Sequence, residues 1–124
     1  MKRILGIDPG LRFCGIGLIE VEGSNLRYLH STTIKPKPKA PLAERLLYLN
    51  EALSELIKAY QPDEVALEET FVSKNGQSTL KLGQARGAIM LTCSQAKLSV
   101  YEYAARLVKK SITGSGAADK TQMM

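Results

Sequence analysis

The sequence of 124 residues contains a single histidine, His30, only two cysteines, Cys14 and Cys93, and no tryptophan. One histidine excludes a histidine-rich metal centre, so any bound metal must be held by carboxylates. The cysteines lie far apart in the chain, and neither has a second ligand at metal-binding spacing. We therefore expect two reduced, packed thiols. No stretch reaches the roughly 18 consecutive apolar residues that a membrane span requires.

The N-terminus also lacks the apolar core of a secretory signal, because the run after Lys2 and Arg3 ends at Asp8-Pro9-Gly10. We therefore expect a cytoplasmic protein. Hydrophobic residues make up 44% of the chain, which fits one globular domain over residues 1–124. The 17 basic and 12 acidic residues give a net charge of +5. This balance is compatible with a nucleic-acid partner but does not require one.

The apolar pattern predicts three strands, followed by helices and strands in alternation. The predicted strands are 3–8, 13–22, 26–34, 64–68 and 98–101, and the predicted helices are 42–60, 78–97 and 102–110. Short turns join the first three strands, which is typical of an antiparallel meander. Later helical crossovers predict a mixed α/β sheet with helices on its faces. Gly15 and Gly17 share one face of the second strand, where glycine often marks a close backbone approach or a bulge.

Two acidic positions stand at the ends of predicted strands. Asp8 ends the first strand, and Glu68 ends the fourth, with Glu69 beside it. If these strands are parallel neighbours, their carboxylates converge at the edge of the sheet where α/β proteins gather their chemistry. Converging carboxylates favour Mg²⁺ or Mn²⁺ between them. The alternatives are an aspartate in an ordinary Asp-Pro-Gly turn and a solvated glutamate, and periodicity does not separate Glu68 from Glu69.

Four segments, in matching order along nearly the whole chain, resemble the RuvC family of Holliday junction resolvases. They are GIDPG at 6–10, ALE at 66–68 with Phe71, STLKLGQARG at 78–87 and YEYAAR at 101–106. The resemblance implies an RNase H-like fold, with a five-stranded mixed sheet flanked by helices. It also implies a homodimeric, Mg²⁺-dependent endonuclease that makes paired nicks in four-way DNA junctions during recombination and repair. RuvA and RuvB branch-migration proteins are implied as partners.

The resemblance also assigns the acidic residues. It implies that Asp8 and Glu68 are catalytic metal ligands, which favours Glu68 over Glu69, with Mn²⁺ as a substitute for Mg²⁺. The family pattern continues past Met124 with a helix that carries further carboxylates, so we expect this chain to lack most of that helix. A junction-binding fragment that does not cleave is therefore an alternative. An actin-like phosphotransferase is a third class, which the short chain disfavours because it leaves no room for a second lobe.

The resemblance further implies a DNA-contacting set of residues, Phe71, Arg106, Lys109 and Lys120. A ring at Phe71 could stack on an unpaired base, with packing on the core as the alternative. The three cations could hold phosphates, with a solvated helix face as the alternative. Gly83 and Gly87 form a small-residue face on the second predicted helix. They indicate either a dimer contact or tight packing on the sheet.

Overall fold

The computed structural model of the chain describes residues 1–69 and 76–103. Its elements are β1 Lys2–Asp8, β2 Cys14–Glu22, β3 Asn25–Ile34, α1 Leu42–Tyr60, β4 Glu64–Glu68, α2 Gly76–Gln95 and β5 Ser99–Tyr103. The strands form one five-stranded sheet in the order β3-β2-β1-β4-β5. β1, β2 and β3 form an antiparallel meander, whereas β4 pairs in parallel with both β1 and β5. The predicted α/β fold with a mixed five-stranded sheet is confirmed.

One face of the sheet carries the hydrophobic core. Leu5 and Ile7 of β1 and Val65 and Leu67 of β4 are fully buried there. Both helices contribute to the same cluster, α1 through Leu49 and Leu53 and α2 through Ala85, Ile89 and Cys93. Because side chains alternate along a strand, the residues between these apolar positions lie on the other face. That face includes Asp8 and Glu68, and it is called the Asp8 face below.

The local sequence explains both ends of α1. Pro41 stands at its N-cap with an extended backbone, which suits a residue that lacks an N–H group to donate. The helix ends at Gln61, which adopts a left-handed conformation with φ of 46°. The backbone N–H of Gln61 donates to the carbonyl oxygen of Ile57 at 2.8 Å, so the last turn is closed by its own chain. The apolar face of α1 packs on the core through Leu49 and Leu53.

Both cysteines are free and buried, as the sequence predicted. Burial raises the pKa of the Cys14 thiol to about 12 and that of the Cys93 thiol to about 11. Both thiols are therefore protonated at neutral pH, and they act as small apolar side chains. None of the described helices is long and apolar enough to cross a membrane.

The predicted boundary between the fifth strand and the third helix is wrong. The sequence predicts a helix from Glu102 onward, but Glu102 and Tyr103 belong to β5, where they pair with Leu67 and Glu68. Pairing with the buried strand β4 outweighs the local helical preference of this segment. The remainder of the predicted helix, residues 104–110, lies outside the described residues.

Candidate functional site

The strand register places Asp8 and Glu68 side by side. Ile7 pairs with Leu67 in the parallel ladder of β1 and β4, and the next residue on each strand is the acid. Neighbouring strands lie about 4.8 Å apart, so the two acidic residues start from adjacent backbone positions. They also share the Asp8 face. The structure thus brings Asp8 and Glu68 together. The sequence alone predicts this proximity only if the two strands are assumed to be parallel neighbours.

Glycine 15 leaves space next to the Asp8 carboxylate. Gly15 is the partner of Asp8 in the antiparallel pairing of β1 and β2. A Cβ atom added to Gly15 would lie 3.4 Å from Cβ of Asp8 and 4.0 Å from its Oδ2. A larger side chain at position 15 would therefore occupy volume next to the carboxylate oxygens. From the sequence, Gly15 indicates only a close approach of the backbone or a β-bulge, because the pattern does not show which residue pairs with it across the sheet.

Glu68 and Glu69 occupy different environments. Glu68 is the last residue of β4, is half-buried and pairs with Tyr103 of β5. Glu69 is exposed, and its backbone N–H continues the ladder by donating to the carbonyl oxygen of Tyr103 at 2.6 Å. Alternation therefore directs the Glu69 side chain away from the face that Asp8 and Glu68 share. Geometry favours Glu68 as the partner of Asp8.

The donor set suits a hard divalent cation. Two carboxylates in neighbouring positions repel each other in the absence of a cation, and oxygen ligands without histidine or cysteine favour Mg²⁺ or Mn²⁺. Because position 15 is glycine, no side chain from β2 occupies the position next to the Asp8 carboxylate. Within residues 1–69 and 76–103, no group of three or more His, Cys, Asp or Glu side chains is arranged to hold a metal. The described residues therefore offer Asp8 and Glu68 as a pair of candidate ligands.

A nearby ion pair belongs to the other side of the sheet. Arg86 of α2 donates to the Glu102 carboxylate on β5, and the Arg86 side chain is only 15% exposed. Glu102 pairs in register with Leu67, so its side chain lies on the helix-covered face. The pair fastens α2 to β5, and Glu102 is not placed to join Asp8 and Glu68.

The remaining predicted site residues, Phe71, Arg106, Lys109 and Lys120, lie outside the described residues. Their assignment to DNA contact stays a prediction. The chemistry of the described site therefore rests on Asp8 and Glu68, with Gly15 beside them.

The strand order, with acids at the carboxyl ends of the parallel pair β1 and β4, defines an RNase H-like domain with a carboxylate pair suited to divalent metal. Residues 4–124 match the family "Crossover junction endodeoxyribonuclease RuvC". The chain belongs to the RuvC family, whose members are named as endodeoxyribonucleases. Membership in a nuclease family of this kind implies a requirement for a divalent metal.

Individual relatives agree with this membership. The chain is 54% identical to the RuvC endodeoxyribonuclease of Azorhizobium caulinodans over 123 residues, covering 99% of this chain and 73% of the relative. It is also 54% identical to that of Maricaulis maris over 121 residues, covering 98% of this chain and 73% of the relative. Thermus thermophilus RuvC in complex with a Holliday junction substrate superposes with a TM-score of 0.82 at 32% identity, covering 98% of this chain and 74% of that one.

More distant structures share the fold alone. The yeast mitochondrial Holliday junction resolvase has a TM-score of 0.60 at 14% identity, covering 98% of this chain and 60% of that one. At this identity the likeness concerns the sheet and its helices and carries no inference about individual residues.

Proposed function

We propose that this chain is a structure-specific endonuclease that hydrolyses phosphodiester bonds in four-way DNA junctions, in recombination and repair. The observation that carries the proposal is the register of β1 and β4, which aligns Asp8 with Glu68 on one face of the sheet. The Thermus relative, 32% identical to this chain, was solved with a Holliday junction substrate, which supports the choice of DNA. The net charge of +5 suits a polyanionic partner.

Asp8 and Glu68 would hold the divalent ion, which we propose to be Mg²⁺, with Mn²⁺ able to replace it. Such an ion supplies Lewis-acid stabilisation of charge and a water of lowered pKa. The carboxylates themselves fix the position of the positive charge relative to the sheet. Gly15 keeps the adjoining volume free for the phosphate and for water. The glycine and the acids come from three neighbouring strands of a rigid sheet, which limits their movement relative to one another.

Other contacts to DNA are proposed by family resemblance. Phe71 would stack on a base at the junction, and Arg106, Lys109 and Lys120 would contact phosphates. RuvA and RuvB branch-migration proteins would act with the nuclease in the cytoplasm. These assignments concern residues and partners that the described structure does not include, and they depend on the resemblance.

A nicking assay tests the function. The chain is mixed with a labelled synthetic four-way junction, or with a linear duplex of the same arm sequence, with and without Mg²⁺ or Mn²⁺. We expect paired, metal-dependent nicks in the junction and at most slow cutting of the duplex. Equal cutting of both substrates would contradict junction specificity. A gel shift without nicks at any metal concentration would instead support the non-cleaving, junction-binding alternative.

We also propose that the nuclease is a homodimer that associates through an exposed strip of α2. This α2 glycine surface consists of Leu80, Gly83, Gly87 and Leu91, which recur at helical spacing. Among residues 1–69 and 76–103, a Cβ added at Gly83 or Gly87 would meet no atom within 4 Å, which favours a dimer contact over tight packing on the sheet. Leu80 and Leu91 are 62% and 58% exposed, which leaves an apolar surface with a flat centre. A second helix can approach such a surface closely.

Replacing Gly87 by leucine tests this interface. The added side chain meets open space among the residues that the structure describes, so we expect the monomer to fold and to gain about 0.5–1 kcal/mol, because glycine is unfavourable inside a helix. The same side chain should separate two facing helices and raise the dimer dissociation constant by about tenfold or more, as measured by sedimentation equilibrium. Lys81→Leu adds a leucine to another exposed side of α2 and is the control. Unchanged association of Gly87→Leu would contradict the proposed surface.

A further inference from the structure

The loop between β1 and β2 presents an exposed aromatic residue beside the acidic site. It covers residues 9–13 and starts directly after Asp8. Pro9 and Leu11 are buried, whereas Arg12 and Phe13 are exposed. Phe13 has 56% of its surface exposed, so the ring is accessible to a binding partner.

Contacts on both sides hold this loop in place. A Cβ at Gly10 would lie 2.2 Å from the carbonyl oxygen of Phe13, so the turn closes only because position 10 is glycine. Leu11 is 5% exposed and is part of the core. The carbonyl oxygen of Leu11 also accepts a hydrogen bond of 3.4 Å from Nη2 of Arg45 on α1. Phe13 therefore stands at the end of a closely packed turn that is anchored to the core, and its exposed ring is held in a defined position.

Arg12 supplies a positive charge next to the ring. Its guanidinium carbon lies 5.7 Å from the centre of the Phe13 ring, within the range of a cation–π contact. Among the described residues, Arg12 takes part in none of the salt bridges. The two side chains thus present a flat aromatic surface and an available guanidinium together, which are the groups that stack on bases and bind phosphates.

The pair lies within reach of the DNA that the acidic site would hold. Phe13 is two residues before Gly15, which pairs with Asp8. Two extended residues span at most about 7 Å, and the strands are about 5 Å apart. The backbone of Phe13 is therefore within roughly 12 Å of Asp8. A DNA strand that rises ~3.4 Å per nucleotide covers this distance in about three nucleotides.

We propose that Phe13 stacks on a nucleobase of the junction near the cleaved phosphate, while Arg12 binds a neighbouring backbone phosphate. The proposal rests on the nuclease function proposed above and adds a base-contacting residue to it. It assigns Phe13 to substrate positioning, separate from the metal-binding acids. The cation–π contact orients both groups before DNA arrives, which lowers the entropy lost on binding.

Junction affinity in EDTA tests the proposal without any cleavage. Anisotropy of a labelled four-way junction gives the dissociation constant, and a fluorescent base analogue near the cleavage position reports stacking. We expect Phe13→Ala to weaken binding about 5- to 150-fold and to remove quenching of the analogue, with Phe13→Trp restoring both. A plot of log affinity against log salt concentration has a negative slope. Arg12→Gln should make this slope shallower by about 0.9, which is the contribution of one phosphate contact.

Tyr28→Ala is the matched control, because Tyr28 is 57% exposed but lies on the edge strand β3. Thermal melts of each variant establish that it is folded. If the wild type binds the junction and Phe13→Ala binds as Tyr28→Ala does, the stacking proposal is overturned while the proposed nuclease function stands. A loss of affinity with unchanged quenching would also overturn stacking. If the wild type binds no junction, the proposed function fails and the inference fails with it.

Discussion

Replacing Asp8 by asparagine is expected to reduce metal-dependent nicking of four-way junctions by a factor on the order of 10²–10³ or more. Asparagine keeps the size of the side chain but removes its negative charge and one acceptor oxygen. Since Asp8 is exposed and stands at the end of β1, the change leaves the core untouched. Folding and metal-free junction binding should therefore remain close to wild type. Loss of turnover with retained binding would separate the chemistry from recognition.

Metal affinity gives a second measurement for the same variant. Titration of the free protein with Mn²⁺, followed by calorimetry or electron paramagnetic resonance, should show weaker binding by Asp8→Asn. Glu22→Gln is the control, because Glu22 is an exposed acid at the opposite end of the sheet, paired with Asn25. It removes the same unit of charge from the protein without touching the site. Wild-type nicking by Asp8→Asn would refute the assignment of Asp8 as a metal ligand.

Much of this fold follows from local sequence. Alternating apolar residues and short turns define the meander, and the spacing of leucines defines α1 with the bounds that the structure has, Leu42–Tyr60. The parallel pairing of β1 with β4 is different in kind. Ile7 pairs with Leu67, although two strands and a helix separate them in the chain, so no local pattern predicts this pairing. From the sequence alone, the convergence of Asp8 and Glu68 could be predicted only if β1 and β4 were assumed to be parallel neighbours. The family resemblance supplied the missing connection.

Two boundary errors show where tertiary contacts override local pattern. The sequence predicts that the second strand begins at Phe13, yet β2 begins at Cys14 and the tight turn at Gly10 leaves Phe13 in the loop. Glu102 and Tyr103 were placed in a helix, yet pairing with β4 keeps them in β5. Both errors occur next to the acidic site. The role of Gly15 was missed for the same reason, since a contact with Asp8 across strands is visible only once the register is known.

The choice between Glu68 and Glu69 depends on the same register. The two residues are adjacent and chemically identical, so composition and hydropathy give no means of ranking them. In the structure, Glu68 shares the Asp8 face, whereas Glu69 continues the ladder with its side chain directed to the other side. Family resemblance and geometry reach the same answer by independent routes.

Substituting glutamine at each position in turn tests that answer. Glu68→Gln should lower junction nicking by a factor on the order of 10²–10³, because it removes one of the two negative charges proposed to hold the metal. Glu69→Gln should change the rate less than about threefold, since an exposed charge directed away from the site is screened by solvent and salt. Each variant removes one unit of charge, so the pair separates position from net charge in a single nicking assay. Equal losses in both variants would mean that overall charge, rather than the placement of Glu68 beside Asp8, governs the reaction. A larger loss in Glu69→Gln would reverse the assignment.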